Sequence, residues 1–84
     1  MTIAVEVARR GVTVNALAPG VIETDMTREL MEGDVCARIP ARRIGEAQEV
    51  ASCVDFLASA DAAYITGAVI PIDGGLSALA SSHP

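Results

Sequence analysis

The feature that most restricts this chain is a pair of short apolar runs set on either side of one strong amphipathic helix. Val12-Thr13-Val14-Asn15-Ala16-Leu17-Ala18 is rich in β-branched residues and is closed by Pro19-Gly20, so 12–18 reads as a buried strand. Ala68-Val69-Ile70-Pro71-Ile72, closed by Asp73-Gly74-Gly75, reads as a second strand over 68–72. Pro71 has no N–H to give to a ladder, which assigns this strand to a sheet edge. Between the two, Val50, Cys53, Val54, Leu57 and Ala58 recur at i, i+3, i+4, i+7 and i+8. That spacing is the core-facing stripe of a helix over 46–58, with Glu46 and Glu49 supplying negative charge to its first turn. Strand, helical crossover and strand make one βαβ unit, whose strands should lie parallel with a right-handed connection. The fold class is α/β.

The rest of the chain is arranged around that unit. Residues 2–10 read as the end of a helix, with Ile3 and Val7 one turn apart, Arg9 and Arg10 at the carbonyl end, and Gly11 as the stop. From Thr24 to Ile39 the pattern is a weaker helix, with Thr24 as N-cap, Met26, Leu30 and Met31 as its apolar stripe, and Gly33-Asp34 as a break. Residues 40–45 connect, 59–66 turn with a single helical turn capped by Asp61, and 76–84 form a tail that frays from Ala78.

Composition excludes several functions. With 84 residues the chain fits one small domain, and a large enclosed site is not expected. It carries eleven acidic residues against six basic ones, all of them arginine, for a net charge of -5, which argues against a nucleic-acid partner. The absence of lysine removes a Schiff-base lysine, a P-loop lysine and a Tyr/Lys proton relay from these residues. Cys36 and Cys53 stand apart from each other and from His83, so free thiols are expected rather than a zinc site. No segment reads as a membrane span or a signal peptide, which makes a soluble, cytoplasmic setting the default expectation.

The chemistry would lie in the loop after the first strand. Doubly wound folds place ligands at the carboxyl ends of their parallel strands. Pro19-Gly20 lets the backbone turn and approach a flat ring, Ile22 offers one backbone donor and one acceptor that match a carboxamide, and Thr24 adds a hydroxyl. An ordinary Pro-Gly turn followed by an N-cap accounts for the same residues locally. Asn15 is read as satisfying a neighbouring backbone group, and Glu23 and Asp25 as solvated. Tyr64, with Ala68 rather than lysine four residues on, is read as structural, and His83 has no role.

The string from Arg10 through Gly11-Val12-Thr13-Val14-Asn15-Ala16-Leu17-Ala18-Pro19-Gly20-Val21-Ile22-Glu23-Thr24-Asp25 to Met26 closely resembles the sixth strand and following loop of short-chain dehydrogenases/reductases. The likeness continues through Ile39-Pro40, Arg43-Ile44-Gly45-Glu46, Glu49-Val50-Ala51, Phe56-Leu57-Ala58-Ser59, Tyr64-Ile65-Thr66-Gly67 and Asp73-Gly74-Gly75. It implies a partial Rossmann-like doubly wound fold, of which residues 1–84 are a C-terminal part. Within the family the wording is most similar to the 3-oxoacyl-acyl-carrier-protein reductases of fatty acid synthesis, which use NADPH. The resemblance implies a cofactor loop formed by Pro19, Gly20, Val21, Ile22 and Thr24, with Ile22 and Thr24 on the nicotinamide carboxamide and phosphate of NADP, NAD also being admitted. It further implies a substrate lid over 25–39 carrying Met26, Leu30 and Met31, and Arg10 as a contact to the acyl carrier protein. Residues 2–10 would end the helix that carries the family's Tyr-x-x-x-Lys, and the last strand with its preceding helix would form much of a subunit interface.

Three readings of function follow. As a segment of a reductase, the chain would be inactive alone, since the Gly-rich fingerprint and the family's Ser, Tyr and Lys relay do not occur in it. As a non-catalytic module, it would self-associate or pair with the remaining, N-terminal part of such an enzyme. As a truncated reading frame, suggested by Met1 falling in mid-helix, it would have no separate activity.

Overall fold

The computed structural model describes residues 2–24 and 34–81. Helix α1, Thr2–Val7, tightens into a 3-10 turn at Ala8–Arg10 and stops at Gly11, whose φ of 76° is the left-handed conformation that glycine adopts without a Cβ penalty. Strand β1 is Ala16–Pro19 and strand β2 is Val69–Ile72. They pair in parallel, Ala16 opposite Val69 and Pro19 opposite Ile72. The helix between them, α3, runs Ala47–Leu57, and a shorter helix, α2, occupies Asp34–Arg38.

β1 is shorter at its start than the 12–18 run predicts and extends through Pro19. The cause is local competition for hydrogen bonds. Val14 gives its N–H to the Thr66 hydroxyl at 3.0 Å, Asn15 Nδ2 donates to Ile65 O at 3.2 Å, and Asn15 Oδ1 accepts the Ala68 N–H at 3.0 Å. Side chains thus replace the first rungs of the ladder, as the backbone-satisfying reading of Asn15 requires. At the ends of the paired region Ala16 N–H donates to Ala68 O and Gly20 N–H to Ile72 O. Even-numbered residues of β2 therefore face β1, and Pro71 falls on the outer side, where a missing N–H removes no rung.

The expected stripe on α3 does not close on the sheet. A groove of about 300 Å³, lined by Thr13, Asn15, Leu17, Val54, Leu57 and Ala58, separates helix from strand. Val54 remains 49 % exposed. Of the β1 residues only Leu17 reaches this groove, because successive side chains of a strand point to opposite faces. Among the described residues the fully buried apolar ones are Ala4, Ile39 and Ala62, which form no single core. The radius of gyration, 15.5 Å, exceeds the roughly 12 Å of a compact domain of this length.

Two smaller expectations change. The turn after α3 is a 3-10 turn at Ala60–Ala62 entered from Ser59, so Asp61 lies inside it instead of capping it. The predicted tail holds a 3-10 turn at Ser77–Ser81, because Asp73 caps it: Oδ1 accepts the Gly75 N–H and Oδ2 the Ser77 N–H. The lid residues Met26, Leu30 and Met31, the break at Gly33, and His83 lie outside the described residues.

Candidate functional site

The loop from Pro19 to Thr24 leaves the carboxyl end of β1 directly beside the carboxyl end of β2. Gly20 N–H donates to Ile72 O at 3.0 Å. Glycine at this position serves the interior of the chain: a Cβ there would lie 2.6 Å from Asp73 Cβ and 3.0 Å from its Cα. Its φ is not positive, so steric room between the strand ends, not turn geometry, selects glycine here.

Beyond Gly20 the loop is tied on one side. Gly45 N–H donates to Val21 O at 2.9 Å, and Glu23 N–H donates to Gly45 O at 2.8 Å, making a one-residue parallel bridge between Ile22 and Gly45. In a parallel bridge the groups of the flanking residues point at the partner, which turns the N–H and C=O of Ile22 to the opposite side. The contact is tight, since a Cβ on Gly45 would meet Ile22 Cδ1 at 2.8 Å. Thr24 is exposed, and residues 25–33, where the helix it was expected to cap would begin, lie outside the described residues, while the end of that span forms α2.

A cleft of about 290 Å³ lies behind the loop, bounded by Val21, Gly45, Arg43, Glu49 and the Ile72–Gly75 turn. At its rim Arg43 forms a two-point ion pair with Glu49, Nη1 to Oε1 at 2.7 Å and Nη2 to Oε2 at 2.9 Å. The same Oε1 accepts the Glu46 N–H at 3.0 Å, so Glu49 closes the first turn of α3 as well. Those donors, the Arg43 side chain first and the Glu46 N–H second, hold the Glu49 carboxyl down to about 2. The hydroxyl and N–H of Ser77, followed by the Gly75 and Leu76 N–H groups, hold Asp73 below its ordinary value.

The predicted loop residues Pro19, Gly20, Val21, Ile22 and Thr24 lie on one short stretch, interrupted only by Glu23. Arg10 does not join them. Gly11, Val12 and Thr13 lie against Ala63, Tyr64 and Thr66 at the amino ends of the parallel strands, the end opposite the loop. Tyr64 is fully exposed, with no lysine anywhere in the chain to pair with it. Sequence reasoning assigned no site role to Arg43 or Gly45, marked Asp73 as part of a strand-ending turn, and treated Glu49 only as first-turn charge. The available signal was an arginine six residues before a Glu that follows an N-cap by three. Among the described residues no group of three or more His, Cys, Asp or Glu is placed to hold a metal, and no helix is long and apolar enough to cross a membrane. Cys36 and Cys53 are free and partly buried.

A parallel β-α-β unit whose loop leaves the strand ends, together with the match of a family model described as Enoyl-(Acyl carrier protein) reductase over residues 1–77, places the chain in the short-chain dehydrogenase/reductase family. It is 54 % identical over 78 residues to the 3-oxoacyl-acyl-carrier-protein reductase FabG of Escherichia coli strain K12, covering 89 % of this chain and 32 % of that protein. To the reductase MabA of Mycobacterium avium it is 53 % identical over 74 residues, 84 % of this chain and 29 % of the relative. Among solved structures it resembles a putative 2-deoxy-d-gluconate 3-dehydrogenase from Agrobacterium tumefaciens with bound NADP, at 42 % identity and a TM-score of 0.81 over 92 % of this chain and 33 % of the other. YwfH, an NADPH-dependent reductase involved in bacilysin biosynthesis, matches at 38 % identity and a TM-score of 0.80, over 89 % of this chain and 34 % of YwfH. The chain spans about a third of the length of these relatives.

Proposed function

We propose that these residues form the nicotinamide-side segment of an NADP(H)-dependent short-chain reductase acting on 3-oxoacyl groups carried by acyl carrier protein. The observation that carries this reading is the loop Pro19–Thr24, set at the carboxyl ends of both strands and bridged to Gly45 on one side, so that the Ile22 peptide faces away from the bridge. One donor and one acceptor on a single residue fit a carboxamide, and Thr24 beside them fits a phosphate oxygen. NADP is the cofactor of that fit because the relatives that name one name NADP or NADPH. When bound, it would supply the hydride; the chain's own part is to hold the nicotinamide end in one orientation. Residues 25–39, with Met26, Leu30 and Met31, would cover the acyl chain. Arg10 would meet the acidic carrier protein, at a distance from the loop.

The segment supplies one part of a site. Its 84 residues contain no lysine and no Gly-rich phosphate fingerprint, so a Tyr-x-x-x-Lys relay and a pyrophosphate cradle must come from elsewhere. The purified chain should not oxidise NADPH in the presence of an acetoacetyl thioester, and measurable turnover would overturn the reading. Mixing it with a separately produced N-terminal part of FabG, the part preceding the match, should restore NADPH-dependent reduction; failure to restore it in a complex that forms would count against the loop assignment. A second reading, self-association without catalysis, is favoured by the exposure of Val54, Phe56 and Val69 and by the groove between α3 and β1. Light scattering at micromolar concentration tests it, a monodisperse monomer being the contrary result.

A further inference from the structure

The loop proposed to hold the nicotinamide borders a cleft and a hydrogen-bonded bridge segment at Gly45. Behind it lies the cleft of about 290 Å³, and two backbone bonds tie the loop to Gly45. Gly45 in turn sits in a segment gripped at both sides. The Arg43 guanidinium, besides its two bonds to Glu49, donates from Nη1 to the Ile44 carbonyl at 3.3 Å, immediately before Gly45. Glu49 Oε1 accepts the N–H of Glu46, immediately after it. A continuous chain of contacts therefore runs from the first turn of α3 through Glu49 and Arg43 to Gly45, and from Gly45 to Val21 and Glu23.

We propose that Arg43 and Glu49 are positioning residues for this loop, clamping residues 43–46 onto α3 so that Gly45 presents one fixed edge to Val21–Glu23. The ion pair is exposed, and as a surface pair it would add little to stability. Its geometry does something a lone charge pair does not: the planar guanidinium spans two carboxylate oxygens and a carbonyl together. The inference deepens the cofactor reading, but it concerns the loop's geometry in the chain by itself.

The test is site-resolved amide exchange by NMR on the 84-residue chain. In Arg43→Ala, the N–H groups of Gly45 and Glu23 should exchange faster by roughly tenfold, the scale of one weakened hydrogen bond. Those of Ala16 and Gly67, which donate to Ala68 O and Val14 O, should keep their rates. The double variant Arg43→Glu with Glu49→Arg restores opposite charges, yet leaves no acceptor at position 49 for the Glu46 N–H and no donor at 43 for Ile44 O. Loop protection should therefore stay lost. Unchanged exchange at Gly45 and Glu23, equal acceleration at Ala16 and Gly67, or full recovery in the reversed pair would each overturn the proposal. Because no cofactor is present in the measurement, its outcome is independent of whether NADPH binds.

Discussion

Replacing Gly20 by alanine tests the closeness of the two strand ends on which the candidate site is built. The added Cβ would fall 2.6 Å from Asp73 Cβ and 3.0 Å from Asp73 Cα. Carbon atoms rest at about 3.5–4.0 Å, so the overlap is close to 1 Å. Asp73 cannot swing aside, since its two carboxylate oxygens accept N–H groups from Gly75 at 3.0 Å and Ser77 at 2.9 Å, and the Ala41 N–H holds Gly74 O at 2.9 Å. Relief must come from parting Gly20 from Ile72 and lengthening the 3.0 Å bond between them. Overpacking costs about 1–3 kcal/mol and a weakened backbone bond about 1 kcal/mol, for a loss of roughly 2–4 kcal/mol. A chain of this length has roughly 4–12 kcal/mol in all, and sparse burial puts this one toward the lower figure. Urea unfolding followed by far-UV circular dichroism, with a slope near 1 kcal/mol/M, should show the midpoint falling by about 2 M or more. Gly45→Ala is the internal comparison: its Cβ would crowd Ile22 Cδ1, the end of a side chain that can turn, and meets Val21 O only at an ordinary 3.7 Å, so its cost should stay under about 1 kcal/mol. A Gly20→Ala midpoint within about 0.5 M of the unaltered chain, or an equal loss in Gly45→Ala, would refute the argument.

Other perturbations separate strain, hydrogen bonding and charge. Gly11→Ala adds an atom with nothing within 4 Å, so only the left-handed φ of 76° is penalised, and the same denaturation assay should show a loss of about 1–2 kcal/mol. Asn15→Ala removes the partners of Ile65 O and the Ala68 N–H, both part-buried, and should cost about 1–3 kcal/mol; amide exchange should quicken first at Ala68. For acid, the sign follows from Glu49, whose value drops from 4.5 to about 2 on folding. Its contribution is complete above the unfolded value and is lost as the pH falls from about 4.5 toward 2. Thermal midpoints should thus be flat above pH ~5 and fall below it, with a shallower fall in Glu49→Gln; an identical profile in that variant would remove Glu49 from the explanation.

Much of the fold was legible because it rests on local chemistry. β-branched runs with Pro-Gly and Asp-Gly-Gly at their ends marked both strands, and the 3.6-residue spacing from Val50 to Ala58 marked α3. Gly11 announced its own left-handed stop. The boundaries were less legible where side chains compete with the ladder. Nothing in Val12-Thr13-Val14-Asn15 says that Thr66 and Asn15 will take over the first rungs, since their partners lie about fifty residues away along the chain. Asp73 looked like part of a plain turn until its carboxylate was seen to cap the Ser77–Ser81 turn.

By itself the sequence determined the family, the parallel strand-helix-strand order and the place of the loop, because periodicity, turn residues and a long family-like string are all properties of neighbours in the chain. Tertiary structure decided the rest. It made Gly20 answer to Asp73, tied Val21 and Glu23 to Gly45, and turned Arg43 and Glu49 from ordinary surface charges into the brace behind the loop. It also left α3 standing off β1 across an open groove, which the apolar stripe had not foretold. Periodicity tells which face of a helix is apolar, but only the opposing side chains, here Thr13, Asn15 and Leu17, determine whether that face is closed.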